Sequence, residues 1–237
     1  MFIKGVMFDF SGTLLRIEPI EQWLRGALDD SGHHLDDTEI TACADRLRLM
    51  GAQPGGPSPR EVPPHLTDLW RDRDLTDDLH RACYTALARE SRLPDPALAE
   101  PLYERTFQPM AWQPYPDTRH VLGELRQRGI PTAVVSNIGW DLRAVFEFHD
   151  LIRYVDVFVL SYEVGVTKPD PRIFQAACDE LGLLPDNVLM VGDDRDADTG
   201  AAALGCPMYL VDPLPVSARP DSLAPVLDLI EELGAYK

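Results

Sequence analysis

The sequence predicts an α/β fold: a doubly wound, Rossmann-like parallel sheet of about five strands carrying an inserted all-helical subdomain. Three observations lead there. Val6, Met7 and Phe8 form a short apolar run closed at once by Asp9, as a strand buried on both faces would be. From about residue 117 onward, apolar runs of strand length alternate with amphipathic stretches of helix length, the pattern of a parallel sheet with crossover helices. Between these regions, residues 20–109 carry helical spacing and no period-two alternation.

Taken in order, residues 3–9 form the first strand, Gly12-Thr13-Leu14 begins a turn, and Pro19 closes the segment. Ile20, Trp23, Leu24, Ala27 and Leu28 share one helical face. Asp36-Asp37-Thr38-Glu39 offers N-caps for a second helix reaching Leu49. Residues 53–64 are rich in Pro and Gly and form a loop. A helix over 67–93 breaks near Asp74–Asp77, where Thr76 or Asp77 caps the second piece, and another helix spans about 95–107. Residues 109–116 are a hinge. Helices are then expected over 117–128, 140–149, 171–181, 197–204 and 225–233, and strands over 131–136, 155–160, 187–191 and 207–211. The domains are therefore 1–19 with 110–237 as the α/β core, and 20–109 as the helical insert.

Four polar positions punctuate the core. Asp9 follows the first strand, and a carboxylate there sits where open α/β sheets bind ligands. Ser136-Asn137 follow the strand Thr132-Ala133-Val134-Val135, and a hydroxyl beside backbone N–H groups at a helix start can bind phosphoryl oxygens. Lys168 precedes Pro169-Asp170-Pro171 and a helix; its charge can neutralise a carboxylate and a transferring phosphoryl group. Gly192-Asp193-Asp194 close another apolar strand, with Asp196 and Asp198 close behind, an oxygen-rich set suited to Mg²⁺. Singly these have ordinary readings as helix caps, exposed lysines or solvated turns.

In this order and context, the four motifs resemble the haloacid dehalogenase superfamily of hydrolases, over residues 2–18 and about 112–212. The resemblance implies a strand order of 5-4-1-2-3 with the insert as a cap. It also implies an Asp9 nucleophile, and a metal held by Asp9, the Ser11 carbonyl and Asp193. Thr13 would orient the Asp9 loop at the phosphate site, Ser136 and Asn137 would bind phosphate, and Lys168 would neutralise charge. Asp194 and Asp198 would support the site, with Asp198 preferred to Asp196 as the trailing carboxylate. The implied activity is Mg²⁺-dependent hydrolysis of a small phosphorylated metabolite through an aspartyl-phosphate.

One position departs from the pattern. The superfamily's phosphatases usually carry a second Asp two residues after the nucleophile, as general acid and base; here it is Ser11. A hydroxyl is a poor substitute near pH 7, where such catalysis is worth ~10²–10⁴-fold. A cap histidine (His33, His34, His65 or His80) could assist. One alternative is a 2-haloacid dehalogenase, although that branch has a tyrosine at this position and few carboxylates in its last motif. Another is a non-catalytic binding or regulatory protein that retains the fold. The phosphonate-cleaving branch needs a cap lysine, and residues 20–110 contain none. Substrate contacts are expected from the cap, with Arg46, Arg48, Trp70, Arg71 and Tyr84 as candidates.

A net charge of −17 over 237 residues argues against nucleic acid or an anionic membrane as partner. No apolar run approaches the roughly 20 residues of a membrane span, and the N-terminus has no signal-peptide pattern. The expected location is cytoplasmic, with Cys43, Cys83, Cys178 and Cys206 as reduced thiols. Oligomeric state is not legible.

Overall fold

A computed structural model describes residues 2–234. Strand β1 (Gly5–Phe8) is followed by the short β2 (Leu15–Ile17). Helices α1 (Ile20–Ser31), α2 (Asp37–Leu49), α3 (Thr67–Asp72), α4 (Asp77–Glu90) and α5 (Ala99–Arg105) come next, then β3 (Trp112–Pro114). The alternating half contains α6 (Thr118–Gln127), β4 (Thr132–Ser136), α7 (Arg143–Phe148), β5 (Val157–Leu160), α8 (Ser161–Val164) and α9 (Pro171–Leu181). It ends with β6 (Val188–Gly192), β7 (Met208–Leu210) and α10 (Ala224–Gly234).

Five strands form one parallel sheet in the order β5-β4-β1-β6-β7. Counting only these five along the chain and reading from the β7 edge, this is the expected 5-4-1-2-3. Successive side chains of a strand point to opposite faces, and the two faces carry separate cores. Val6 and Phe8 pack with Val134, Leu189 and Val191 under α6, α7 and α10. Met7 packs with Ala133, Val135 and Met190 under α9. With both faces covered, the central strands are apolar throughout.

Helices α1–α5 enclose a further core built on Trp23, Leu24, Leu47, Leu87 and Leu102. No strand lies between Pro19 and Gln108 among the described residues. The α2 start is a full capping box: the Asp36 carboxylate accepts the Glu39 N–H and the Glu39 carboxylate accepts the Asp36 N–H. Thr76 caps α4 after the break.

Four local expectations need correction. The hinge at 109–116 contains β3, which pairs antiparallel with β2, so both crossings between core and insert run in one ribbon. That ribbon was missed because three-residue strands are too short for alternation to register. The helix expected over 140–149 spans only Arg143–Phe148, and the buried Trp140 lines the cleft. The helix expected over 197–204 is a 3₁₀ helix, Asp198–Leu204, in which Gly200 lies so close to the Pro169 carbonyl that a Cβ there would fall 2.2 Å from its oxygen. The helix expected over 95–107 is a 3₁₀ turn at Pro96–Leu98 followed by α5.

Glu18, at the first crossing, accepts two hydrogen bonds from Arg105 at the second, at 2.8 and 3.1 Å. Gln53 donates to the Glu18 carbonyl at 3.0 Å. These bonds tie the insert to its own stem.

Candidate active site

The site is assembled at the carboxyl ends of three adjacent strands. Phe8 is in register with Val134 on β4 and with Val191 on β6. Asp9 therefore emerges between Ser136, the last residue of β4, and Asp193, the first after β6. The Asp9 N–H still donates to the Val191 carbonyl at 2.9 Å, holding the carboxylate in line with the sheet.

Lys168 enters from the loop before α9. Its ammonium donates to Asp9 Oδ1 and to Asp198 Oδ1, both at 2.6 Å. Asn137 brackets the lysine backbone: its amide Nδ2 donates to the Lys168 carbonyl at 2.9 Å, and its Oδ1 accepts the Lys168 N–H at 2.6 Å. Asn137 therefore holds the Lys168 backbone, and its second amide N–H stays free at the lining of the cleft. Asp198 is fully buried, and its second oxygen accepts the Asp194 N–H at 2.9 Å. Asp194 in turn accepts the N–H groups of Asp196 and Ala197, which folds the turn leading to Asp198.

Carboxylate oxygens of Asp9, Asp193 and Asp198 lie within 4.8 Å of one another. Burial pushes the Asp9 carboxyl well above its ordinary value; Lys168 opposes this, while Asp198 and Asp193 reinforce it. Burial and then Asp198 push Asp193 up to about 6. Burial favours the neutral amine of Lys168, but Asp198 and Asp9 outweigh it and raise the lysine, so it is held as the ammonium. Three carboxylates against one ammonium leave excess negative charge, which a divalent cation would relieve. The donor set fits a hard cation with oxygen ligands. Asp198 has both oxygens engaged by Lys168 and the Asp194 N–H, so Asp9 and Asp193 are the side chains that could hold such an ion. The Ser11 carbonyl stays out of the local turn's hydrogen bonds, in which Leu14 and Leu15 donate to Phe10 and Gly12 donates to Leu15.

The turn after Asp9 is shaped around Asp193. Gly12 has φ +90°, and a Cβ there would fall 2.3 Å from Asp193 Oδ2, so only glycine fits. The Thr13 hydroxyl donates to Asp193 Oδ1 at 3.2 Å, placing it on that carboxylate. Arg219 donates to the Gly12 and Thr13 carbonyls at 2.9 and 2.8 Å, and its guanidinium stacks over Tyr115 at 3.1 Å. Sequence reasoning missed Arg219, which lies in an irregular segment more than 200 positions away with no motif around it.

The insert roofs a cleft of about 490 Å³ lined by Asp9, Ser136, Lys168 and Asp193 below and Trp70, Arg73, Asp74 and Tyr84 above. The Pro/Gly-rich loop reaches into it, and the Ser11 hydroxyl donates to the Gly55 carbonyl at 3.0 Å. Of the expected cap contacts, Trp70 and Tyr84 line this cleft. Arg46 instead donates to the Ser91 and Arg92 carbonyls, Arg48 pairs with Asp45, and Arg71 pairs with Asp68 and Asp72. These three are satisfied locally, away from the cleft. Arg73 and Asp74 were missed, although they lie at the helix break that the sequence marks. Among the cap histidines only His80 lines the cleft; burial, then Arg73, pushes it down to about 3, so it is neutral near pH 7. His33 and His65 pair with Asp95 and Glu90 on the surface.

The fold and this constellation define a capped α/β protein with an acidic cleft at the carboxyl end of its sheet. The chain belongs to the haloacid dehalogenase-like hydrolase family, which it matches over residues 3–205. It is 36% identical over 130 residues to a Mycobacterium tuberculosis phosphatase, covering 54% of this chain and 59% of that protein. It is also 36% identical over 92 residues to an (S)-2-haloacid dehalogenase of Pseudomonas sp., covering 38% of this chain and 40% of that one. The crystal structure of a haloacid dehalogenase-family phosphatase from Thermococcus onnurineus superposes with a TM-score of 0.57 at 25% identity, over 89% of this chain and 86% of that one. No helix among the described residues is long and apolar enough to cross a membrane.

Proposed function

We propose that the chain is a Mg²⁺-dependent phosphatase acting on a small phosphorylated metabolite. The observation that carries this reading is the Asp9–Asp193–Asp198 cluster around Lys168: its carboxylates exceed what one ammonium neutralises. Asp9, Asp193 and the Ser11 carbonyl would hold the ion, which when bound supplies charge neutralisation for an anionic substrate. Asp9 attacks phosphorus and forms the aspartyl-phosphate. Lys168 keeps its proton and faces the charge that develops as the phosphoryl group transfers. Ser136, at the end of β4, offers a hydroxyl to the phosphoryl oxygens. Asp198 and Asn137 fix the lysine, and Thr13 fixes Asp193. The cap, residues 20–109, closes the cleft over the substrate, which favours small substrates over protein phosphates.

A second reading, 2-haloacid dehalogenation, is supported by the matching Pseudomonas enzyme and by the absence of a carboxylate at position 11. One experiment separates the two: hydrolysis of an aryl phosphate and of 2-chloropropionate, each with Mg²⁺ and with a chelator, using wild type and Asp9→Asn. The expected result is Mg²⁺-dependent phosphate release that Asp9→Asn abolishes. Chloride release indifferent to the chelator would establish the dehalogenase reading instead.

A further inference from the structure

The phosphatase reading leaves one chemical requirement unmet. A group must protonate the departing alkoxide when Asp9 takes the phosphoryl group, and then take a proton from the water that releases phosphate. Ser11 cannot do this near pH 7, and its hydroxyl is already bonded to Gly55. His80 is neutral and close to Tyr103. Of the carboxylates lining the cleft, Asp9 and Asp193 belong to the nucleophile and metal set, and Asp194 caps a turn.

Asp74 remains. It lies at the break between α3 and α4, lines the same cleft as Asp9 and Ser136, and is 5% exposed. Its backbone is fixed to the core: the Ser161 hydroxyl at the end of β5 donates to the Asp74 carbonyl at 2.6 Å. The same hydroxyl accepts the Ile138 N–H at 2.8 Å, two residues beyond Ser136. The side chain is far less constrained. Its oxygens take part in no hydrogen bond among the described residues; Arg73 Nη2 is 3.3 Å away and His80 Nε2 3.8 Å.

We propose that Asp74 supplies from the cap the general acid and base that position 11 lacks; the proposal rests on the phosphatase reading. In the first step the Asp9 carboxylate forms a bond to phosphorus, the bond to the leaving oxygen breaks, and Asp74 gives that oxygen its proton. In the second, water attacks phosphorus, Asp74 takes the proton, the Asp9–phosphorus bond breaks, and inorganic phosphate leaves. Burial raises the Asp74 carboxyl from its ordinary value against the opposing charges of Arg73 and Lys168, the direction a general acid needs. Of the other ionisable groups at this wall, Arg73 and His80 flank the carboxylate, and Tyr84 is pushed up to about 12 by burial and stays neutral.

The test uses leaving groups of different basicity on wild type, Asp74→Asn and Ser11→Asp/Asp74→Asn, with Mg²⁺. Phenolates depart without protonation, whereas simple alkoxides need it. Asp74→Asn is expected to lose alkyl phosphate turnover by ~10²–10⁴-fold. With an aryl phosphate it should give one rapid equivalent of phenolate, then slow release as the phosphoenzyme accumulates. The double variant, with a carboxyl restored at position 11, is expected to recover alkyl turnover. Equal losses on both substrates with no burst, or unchanged alkyl turnover, would overturn the role of Asp74 and leave the phosphatase reading standing. A wild type that releases no phosphate from either substrate would overturn both. Asn keeps the shape and the backbone carbonyl that Ser161 binds; if it does not fold, Asp74→Glu, with its carboxyl displaced, should show the same leaving-group dependence in weaker form.

Discussion

Lys168 and Asp198 meet at 2.6 Å in the interior, and the carboxylate is completely shielded from solvent. A 30-residue separation is bridged because the loop before α9 and the 3₁₀ turn after β6 both return to the carboxyl end of the sheet. Removing one partner of such a pair leaves the other charge buried with less compensation. Asp198→Ala is therefore expected to cost on the order of 3 kcal/mol, measured by urea unfolding, and to release the Asp194 N–H from its acceptor. A loss below about 0.5 kcal/mol, typical of surface substitutions, would mean that Asp9 alone satisfies the lysine.

The proposed metal site would make Mg²⁺ affinity depend on pH through Asp193. Its carboxyl is pushed up to about 6, so at pH 5 the free protein holds it mostly protonated and at pH 7 mostly ionised. A metal ligand must lose its proton before it binds, so Mg²⁺ should stabilise the protein more at pH 7 than at pH 5. At 100 times the dissociation constant the gain is about 2.7 kcal/mol, visible as a rise in Tm. Asp193→Asn should abolish most of that rise at both pH values. A Mg²⁺ shift independent of both pH and Asp193 would place the ion elsewhere.

Much of this was readable from particular residues. Val6-Met7-Phe8 and Val188–Val191 announce buried strands because they have no polar interruption, and each ends in the acids that mark the site. Asp36 and Thr76 announce helix starts through capping chemistry, which is local. What stayed hidden depends on long-range packing. Arg219 and Gly12 are 207 positions apart, and nothing near Arg219 in the chain signals that its partners are two carbonyls in the first turn. The cap contacts were only partly legible for the same reason: Trp70 and Tyr84 line the cleft, whereas Arg71 and Arg73 look alike in sequence, but the structure turns one to Asp68 and Asp72 and stacks the other over Trp70 at 3.7 Å.

Arg219 makes the first turn dependent on the C-terminal segment. Truncating it strands two buried carbonyls and leaves Asp117 without its nearest guanidinium, 3.9 Å away. Each stranded group costs about 1–3 kcal/mol, so Arg219→Ala is expected to lose about 3 kcal/mol and to lower Tm by ~6–12 °C, at 2–4 °C per kcal/mol for a chain of this size. Arg219→Lys should recover only part of this, because an ammonium cannot reproduce a planar fork reaching two acceptors while stacking on Tyr115. Full recovery by lysine would reduce the role of Arg219 to its charge.

His80 sets part of the acid limb of stability. It is buried with Nδ1 2.8 Å from the Tyr103 hydroxyl, and it packs so closely on the core that a Cβ on Gly139 would meet it at 2.3 Å. Burial, then Arg73, pushes its imidazole down to about 3 from the usual 6.5. Between those values the unfolded chain takes up a proton at this position and the native protein does not. The contribution is thus complete above pH 6.5 and is lost as pH falls toward 3, by up to about 1.4 kcal/mol per pH unit. Other groups titrate in the same range, so the informative quantity is the difference between wild type and His80→Gln, in urea unfolding from pH 4 to 7. The wild-type curve should be steeper by close to one proton. Parallel curves would show that the native protein accommodates an imidazolium at this cap–core contact, and would return His80 to the list of groups able to move protons in the cleft.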